Sequence, residues 1–364
     1  MGSLKFWFVS FPKLVLALIR KKKWLDRSQT YFPELKERQK SRLAIFFDQV
    51  RHIIRWHAIE ENYYLYGFDI KGLRKQNEYL DYGYFMRRRD YLNNHPDTKE
   101  PYSYTGVLRD KFYFSIFMEQ FGFPIPATIG LMDAEGIYML KEKARVPLTA
   151  FNEMENHVIC KPLDGIGGVG IFSLNLRKGT MECDGESIDM DELKKKLGKG
   201  CYFVQEKIQE QHPLMASLYP NSINTLRVTT VRDPHTGEIE LMGVMLLMGA
   251  RGAIVSNWHY GGVIIDVHDD GYLDKYGYSL YEKKIDRHPE TGVVFESFKV
   301  PYFNEVVAAA KQCHRMFYGV HSVGWDFAIL PDGYLFIEGN DNWGMAAHQM
   351  VNGGLVEKFN RYYK

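Results

Sequence analysis

Residues 324–340 read Gly-Trp-Asp-Phe-Ala-Ile-Leu-Pro-Asp-Gly-Tyr-Leu-Phe-Ile-Glu-Gly-Asn, two apolar runs joined by Pro331-Asp332-Gly333. Turn residues between two such runs specify a β-hairpin, so the chain must build at least one antiparallel sheet. Side chains alternate faces along a strand, which puts Glu338 and Asn340 on the same side. Asp326, on the adjoining strand, is within reach of both. Three oxygen donors at one point suit a hard cation such as Mg²⁺. The alternative is an ordinary hairpin whose polar residues face solvent.

A second segment bears on that choice. Val158-Ile-Cys-Lys161-Pro is a strand carrying a lysine, and Leu163-Asp-Gly165-Ile-Gly167-Gly168-Val-Gly170 follows it. Glycines between strands let backbone N–H groups approach phosphate oxygens, because no Cβ intervenes. Lys161 adds a point charge for the same phosphates. The pattern is neither a P-loop nor a Rossmann fingerprint. Lysine plus glycine loop favours nucleotide binding over a plain flexible hairpin.

In order along the chain come Arg109-Asp110-Lys111, Phe123-Pro-Ile-Pro126-Ala-Thr128, Lys161 with its glycine loop, and Phe203-Val-Gln205-Glu206-Lys-Ile208. Then follow Ser222-Ile-Asn224-Thr225-Leu-Arg227-Val-Thr229, Ser256-Asn257-Trp-His-Tyr-Gly261-Gly262 and the Asp326/Glu338/Asn340 set. This series, over about residues 105–355, resembles the ATP-grasp superfamily, and in particular its sugar-transfer-associated branch. The Asn-Thr-Leu-Arg stretch and the Asn257…Gly-Gly element carry the likeness to that branch. Many ATP-grasp ligases have Pro-Gly or Ser-Gly soon after the last Asn; this chain has Asp341-Asn342-Trp343-Gly344, so its acceptor side departs from the pattern.

The resemblance implies an α+β ATP-grasp fold, two α+β lobes around a nucleotide cleft, preceded by an N-terminal helical region. It implies that Lys111 and Lys161 hold the phosphates of ATP while Gly165, Gly167 and Gly168 close over them. Gln205, Glu206 and Ile208 would form the hinge against adenine, largely through backbone groups, and Glu210 or His212 would reach the ribose. Asp326, Glu338 and Asn340 would carry Mg²⁺, or Mn²⁺ in its place. Arg227 is the expected transition-state cation, since a guanidinium fork matches phosphoryl and carboxylate oxygens bidentately; pairing with a buried acid is its structural alternative. Arg251, Asn257 and His259 would face the acceptor or the γ-phosphate. The implied chemistry is carboxylate activation: an acylphosphate forms with release of ADP, and an amine acceptor, amino sugar or other sugar-linked precursor, displaces phosphate. Two other classes fit the same residues, an ATP-dependent phosphotransferase acting on a sugar or lipid-linked acceptor, and a non-catalytic membrane-docked nucleotide- or glycan-binding protein.

A length of 364 residues calls for two or three structural units. The expected division is 1–103 as an accessory region, 104–155 as an entry subdomain, 156–210 as the small nucleotide lobe and 211–364 as the catalytic lobe. With 46 Lys+Arg against 45 Asp+Glu, no global field attracts nucleic acid, and no basic patch interleaved with aromatics appears. Cys160, Cys183, Cys201 and Cys313 lack metal-ligand spacing, so reduced thiols in a cytoplasmic protein are expected, with homo-oligomerisation left open. Aromatic content of 15%, with 24 Tyr, must supply core and interface, and surface tyrosines also stack on sugars.

The N-terminus has a separate character. An aromatic-rich apolar stretch, 4–19, runs into Arg20-Lys-Lys-Lys23. It is too short to span a bilayer, lacks the layout of a secretory signal, and has no myristoylation pattern. An apolar helix with a basic end suits peripheral contact with an anionic membrane, here the inner face of the cytoplasmic membrane; packing on the protein or on a partner subunit is the other reading. Pro12 is expected to limit this helix to two short pieces. A long amphipathic helix is expected between Pro33 and Tyr64, with His57 on its apolar stripe as a core histidine. Tyr63–Asp69 and Met86–Asp90 are read as packing elements. Further expectations are a helix over 189–197, strands over 225–232, 240–248 and 262–267, and helices over 303–317 and 351–362.

Overall fold

The computed structural model describes residues 5–95, 102–163, 169–253, 256, 258 and 261–364. It is α+β throughout, built from an N-terminal helical layer and two antiparallel sheets.

The N-terminal layer begins with a wide helical turn, Phe6–Ser10, that runs directly into α1, Phe11–Arg20. Pro12 does not divide it. Proline lies in the first turn of α1, where the missing N–H costs nothing, so the helix continues through it. The next helix is shorter than the sequence suggests. Pro33 opens a separate tight turn, Pro33–Arg38, and α2 spans only Arg42–Trp56. Ser41 caps its start, accepting from Ala44 N, and His57 ends it in the left-handed region at φ 60°. His57 is therefore an exposed cap rather than a core residue; its ring stacks on Phe6 with centroids 3.6 Å apart. The buried histidine of α2 is His52. Helix α3, Tyr82–Asn94, completes the layer. Tyr63, Tyr64, Tyr66, Phe68 and Ile70 pack with Met245, Ile264 and Tyr278 of the second sheet, which bears out the packing reading of that segment.

After α4, Thr105–Arg109, and α5, Lys111–Gln120, the first sheet forms. Its strands are β1 (Thr128–Asp133), β2 (Gly136–Met139), β3 (Ala144–Val146), β4 (Asn156–Pro162), β5 (Phe172–Arg177), β6 (Thr180–Cys183), β7 (Glu186–Ser187) and β8 (Tyr202–Glu206). Among the described residues the order is β3-β2-β1-β8-β4-β5-β6-β7. Strands from 104–155 and from 156–210 thus share a single sheet, because β8 pairs with both β1 and β4. Helix α6, Met190–Leu197, starts with a capping box in which Asp189 and Glu192 satisfy each other's backbone, as the acidic-then-basic sequence indicates.

The second sheet follows α7, Pro213–Leu218. It comprises β9 (Thr225–Arg232), β10 (Ile239–Met248), β11 (Val263–Val267), β12 (Leu273–Ser279), β13 (Lys283–Ile285), β14 (Ser322–Leu330) and β15 (Gly333–Asn340), in the order β13-β12-β11-β10-β9-β14-β15. Helix α8, Phe303–Met316, covers one face with Val306, Ala310 and Cys313. The N-terminal layer and α9, Met345–Asn352, cover part of the other. Gly353, at φ 83°, separates α9 from α10, Val356–Tyr362, where the sequence suggests one helix from 351.

Candidate active site

The site is built on the face of the second sheet that α8 does not cover. Strand β14 lies between β9 and β15, and Asp326 is the direct partner of Arg227 on one side and of Glu338 on the other. A bulge makes the second pairing. Phe327 faces Phe336, and the register shifts by one residue before Asp326 faces Glu338. Were the register regular, Asp326 would lie opposite the apolar Ile337. Gly339 holds the strand down, since a Cβ there would meet the Trp325 ring at 2.7 Å.

Arg227 donates to both oxygens of Asp326, Nε to Oδ1 at 2.7 Å and Nη2 to Oδ2 at 2.6 Å. Asn340 Nδ2 donates to Glu338 Oε1 at 3.0 Å and approaches Asp326 Oδ2 at 3.5 Å. The structure therefore brings together all three of the oxygen donors proposed as a metal set, and adds Arg227. Burial pushes the Asp326 carboxyl up to about 6, against the pull of Arg227 and with help from Glu338. Burial acts the same way on Glu338, but donation from Asn340 and the charges of Arg227 and Lys161 prevail and hold it below its ordinary value. Burial also weakens the guanidinium charge of Arg227; the adjacent Asp326 outweighs that and raises its pKa.

From the first sheet, Lys161 on β4 faces this group. Enclosure pushes its ammonium down to about 8, Glu338 pulling the other way and Lys111 adding to the fall. Lys161 is thus within electrostatic reach of Glu338 on β15 and of Lys111 at the start of α5. Gln205 orients Lys161: its Oε1 accepts from Lys161 Nζ at 3.0 Å while its Nε2 donates to Pro126 O at 2.9 Å. Gln205 is paired on both backbone edges, with Thr128 and Ile159, so it meets the site through its side chain. Glu206 is exposed and Ile208 half-buried at the end of β8.

Other sequence candidates lie elsewhere. His212 caps α7, its Nδ1 accepting from Leu214 N, and lines a separate groove of about 330 Å³ with Lys299 and Tyr302. Arg251 is exposed, ion-paired with Glu282 at 3.2 Å and stacked over Tyr281. Gly165, Gly167, Gly168, Asn257 and His259 lie outside the described residues. Ser256, at the start of the Asn257 segment, hydrogen-bonds Thr225 on β9 at 2.8 Å, two residues from Arg227. The sequence reading missed the supports of the site. Arg109 grips Asp341 with Nε and Nη2 at 3.0 and 2.6 Å, and Asn93 donates to the Asp341 carbonyl, fixing the chain just after Asn340. Buried His348 bonds Thr229, which shares the face of Arg227. Only contacts between helices and strands far apart in sequence expose these roles.

The donor set fits a hard cation. A carboxylate offers about four lone-pair sites, of which Arg227 uses two on Asp326 and Asn340 one on Glu338. Asn340 presents its Nδ2 to the acids, so its Oδ1 would join such a donor set only with the amide turned over.

A family model described as sugar-transfer associated ATP-grasp matches residues 88–362. Among solved structures, the D-alanine–D-alanine ligase of Bacillus anthracis is similar at 10% identity and TM-score 0.39, covering 71% of this chain and 68% of that one. The D-alanyl-alanine synthetase A of Vibrio cholerae shows 10% identity and TM-score 0.41, covering 71% and 63%. An L-amino acid ligase of Bacillus licheniformis shows 11% and 0.38, covering 69% and 44%. This chain thus spans between 44% and 68% of the lengths of these three. No curated protein sequence matches it.

Proposed function

Because this chain belongs to the sugar-transfer associated ATP-grasp family, we propose that it is an ATP- and Mg²⁺-dependent carboxylate–amine ligase that works through an acylphosphate. Its product would be an amino-acid or other acyl amide on a sugar or polysaccharide precursor. The observation that carries this reading is the apposition of Lys161, held by Gln205, to the Arg227–Asp326–Glu338–Asn340 group.

Lys161 and Lys111 neutralise the phosphates of ATP as compact point charges. A carboxylate oxygen of the donor attacks the γ-phosphorus; the new O–P bond forms as the bond to the β,γ-bridging oxygen breaks and ADP leaves. In this reading the Arg227 guanidinium stabilises the negative charge spread over the transferring phosphoryl oxygens. Asp326 holds that fork in one orientation from the neighbouring strand. The acceptor amine then attacks the acyl carbon, the C–O bond to phosphate breaks, and the amine loses its proton to solvent or phosphate. Mg²⁺ on Asp326, Glu338 and Asn340 supplies charge neutralisation of the phosphates.

The test is a screen for ADP release over amino acids crossed with amino-sugar nucleotides, with mass detection of the conjugate. A conjugate heavier by the acyl group, formed with one ADP per bond, supports the ligase. ADP release that needs no carboxylate and yields a phosphorylated acceptor would make the protein a phosphotransferase.

A further inference from the structure

The first two helices expose apolar surface that nothing among the described residues covers. Phe6, Phe11, Leu14, Val15 and Leu18 turn inward against Phe46, Val50 and Ile53 of α2. Because Phe6 stacks on His57 at the far end of α2, the helices run antiparallel. Outside that seam, Phe8 is 78% and Ile19 53% exposed on the first helix, and Leu43 is 65% and Phe47 53% exposed on the second. Phe8, Leu16 and Ile19 recur at helical spacing, as do Leu43, Phe47 and Ile54, each forming a stripe beside the seam. For two right-handed helices packed antiparallel, the angular offset from the seam puts both stripes on the same outer side. The result is one apolar face made by two helices.

Its charge is equally one-sided. Residues 5–25 hold Lys5, Lys13, Arg20, Lys21, Lys22 and Lys23 and no acid, in a chain whose net charge is only +1. Arg42, Arg51 and Arg55 continue the series on α2, whose one acid, Asp48, is buried and paired with Lys40 and Arg51. A groove of about 550 Å³ opens beside Phe47, between Lys40, Arg51 and Lys71. Among the described residues no helix is long and apolar enough to cross a membrane.

We propose that this two-helix face docks the protein on an anionic lipid surface, its aromatic and aliphatic stripes entering the interfacial region while the cations meet the headgroups. Apolar area together with a predominantly positive rim, interrupted by Asp26 near Arg42, matches that surface; a protein partner would need a similarly acidic, apolar patch. The second helix distinguishes this arrangement from anchoring by residues 1–23 alone. It does not depend on the ligase reading, because its readout is binding.

The test is co-sedimentation of the full chain with phosphatidylglycerol-containing vesicles and with pure phosphatidylcholine vesicles. Binding is expected to the first only and to weaken with salt. Each headgroup-facing cation is worth about fivefold in partitioning, so Lys21→Gln/Lys22→Gln/Lys23→Gln together should weaken binding by about a hundredfold. Leu43→Gln/Phe47→Gln should weaken it by about tenfold or more with only a small fall in melting temperature, since more than half of each residue is already in water. Protein that stays in the supernatant with anionic vesicles overturns the proposal. So does a Leu43→Gln/Phe47→Gln variant that binds like the wild type, or one whose only change is loss of a concentration-dependent dimer, which would make the face a contact between copies of this chain.

Discussion

Two buried polar clusters in this molecule look alike by composition and differ in what their atoms have left to do. In the N-terminal layer, His52 lies between Asp81, at 3.2 Å, and Glu60, at 3.7 Å. In the cleft, Asp326 lies between Arg227 and Glu338. Around His52 the carboxylates are tied to the backbone: Asp81 caps α3 by accepting from Tyr84 N, and Glu60 accepts from Asn62 N while Gln49 clamps its own N–H and C=O. Around Asp326 the partners are side chains on three adjacent strands, with lone pairs unused and Lys161 facing from the other lobe. Two acids buried side by side disfavour ionisation unless cations join them. Acids spent on backbone caps hold elements together, whereas acids left open to a cleft keep lone pairs for a cation, and through the cation for a phosphate.

The largest expected effect follows from that contrast. Glu338→Gln and Asp326→Asn keep shape and remove one ligand charge each, so ATP turnover should fall about a hundredfold, the scale of losing one charge-stabilising group. Melting temperature should fall somewhat with Glu338→Gln, because the groups that hold Glu338 ionised lose the charge they stabilise. ADP release measured against Mg²⁺ concentration decides it, and normal turnover by both variants at limiting Mg²⁺ would reduce the cleft cluster to a second structural one.

Arg227→Lys sharpens the comparison, since Arg227 belongs to both descriptions. It is bidentate on a buried acid, which is a structural contact, and it borders the proposed phosphoryl site. We expect nucleotide affinity to persist and kcat to drop tenfold for each ~1.4 kcal/mol of lost transition-state stabilisation. Lysine cannot make the two parallel bonds to Asp326. An unchanged kcat with a lowered melting temperature would assign Arg227 to structure alone.

How far this site was legible depends on the range of the interactions. The hairpin at 324–340 is written locally, in the Pro331-Asp332-Gly333 turn and the alternation of its arms, so its strands and the shared face of Glu338 and Asn340 can be read directly. The bulge at Ile337 that aligns Asp326 with Glu338 leaves no such mark, because one extra residue changes register without changing composition. Strand β9 was readable as a strand, but its place beside β14, nearly a hundred residues later, is a tertiary fact, and with it the Arg227–Asp326 pair. Gln205 was read for its backbone; burial of that backbone in mid-sheet leaves its side chain to hold Lys161. At the N-terminus, apolar periodicity named both helices without telling which apolar residues meet each other and which meet solvent. The sequence also placed His57 on a stripe that the helix, ending there in a left-handed cap, never reaches.

A smaller effect is expected from the structural cluster. Asp81→Ala removes the cap of α3 and the partner of His52 together, which should cost about 2 kcal/mol of stability. Turnover per folded molecule should stay unchanged, because Asp81 contacts nothing in the cleft. Thermal unfolding and steady-state ADP release on the same sample make the comparison. A large fall in kcat at saturating ATP would mean that α3, which also carries Asn93 and Arg89 to the Asp341–Trp343 segment, transmits strain to the acids.

The smallest effect is a dependence on pH that belongs to the N-terminal cluster. Burial pushes Glu60 up to about 7, opposed by His52 and by donation from Asn62, with Asp81 and Glu61 adding to the rise. Its Oε2 is buried and accepts no hydrogen bond, as suits a carboxyl that keeps its proton. Between the ordinary carboxylate range and pH 7 the folded protein therefore holds a proton that the unfolded chain has released. Stability must then fall as pH rises through that window and level off above it, opposite in sign to the behaviour of a salt-bridged acid. Glu60→Gln retains the acceptor for Asn62 N and cannot ionise, so its melting temperature should fall less than that of the wild type from pH 4.5 to 7, by a few degrees at most. The difference between the two curves isolates Glu60 from Asp326, which titrates nearby in both proteins. Parallel curves would show that Glu60 ionises in the fold as it does in the open chain, with its charge compensated by His52, and the cluster would then be a buried ion pair rather than a neutral clamp.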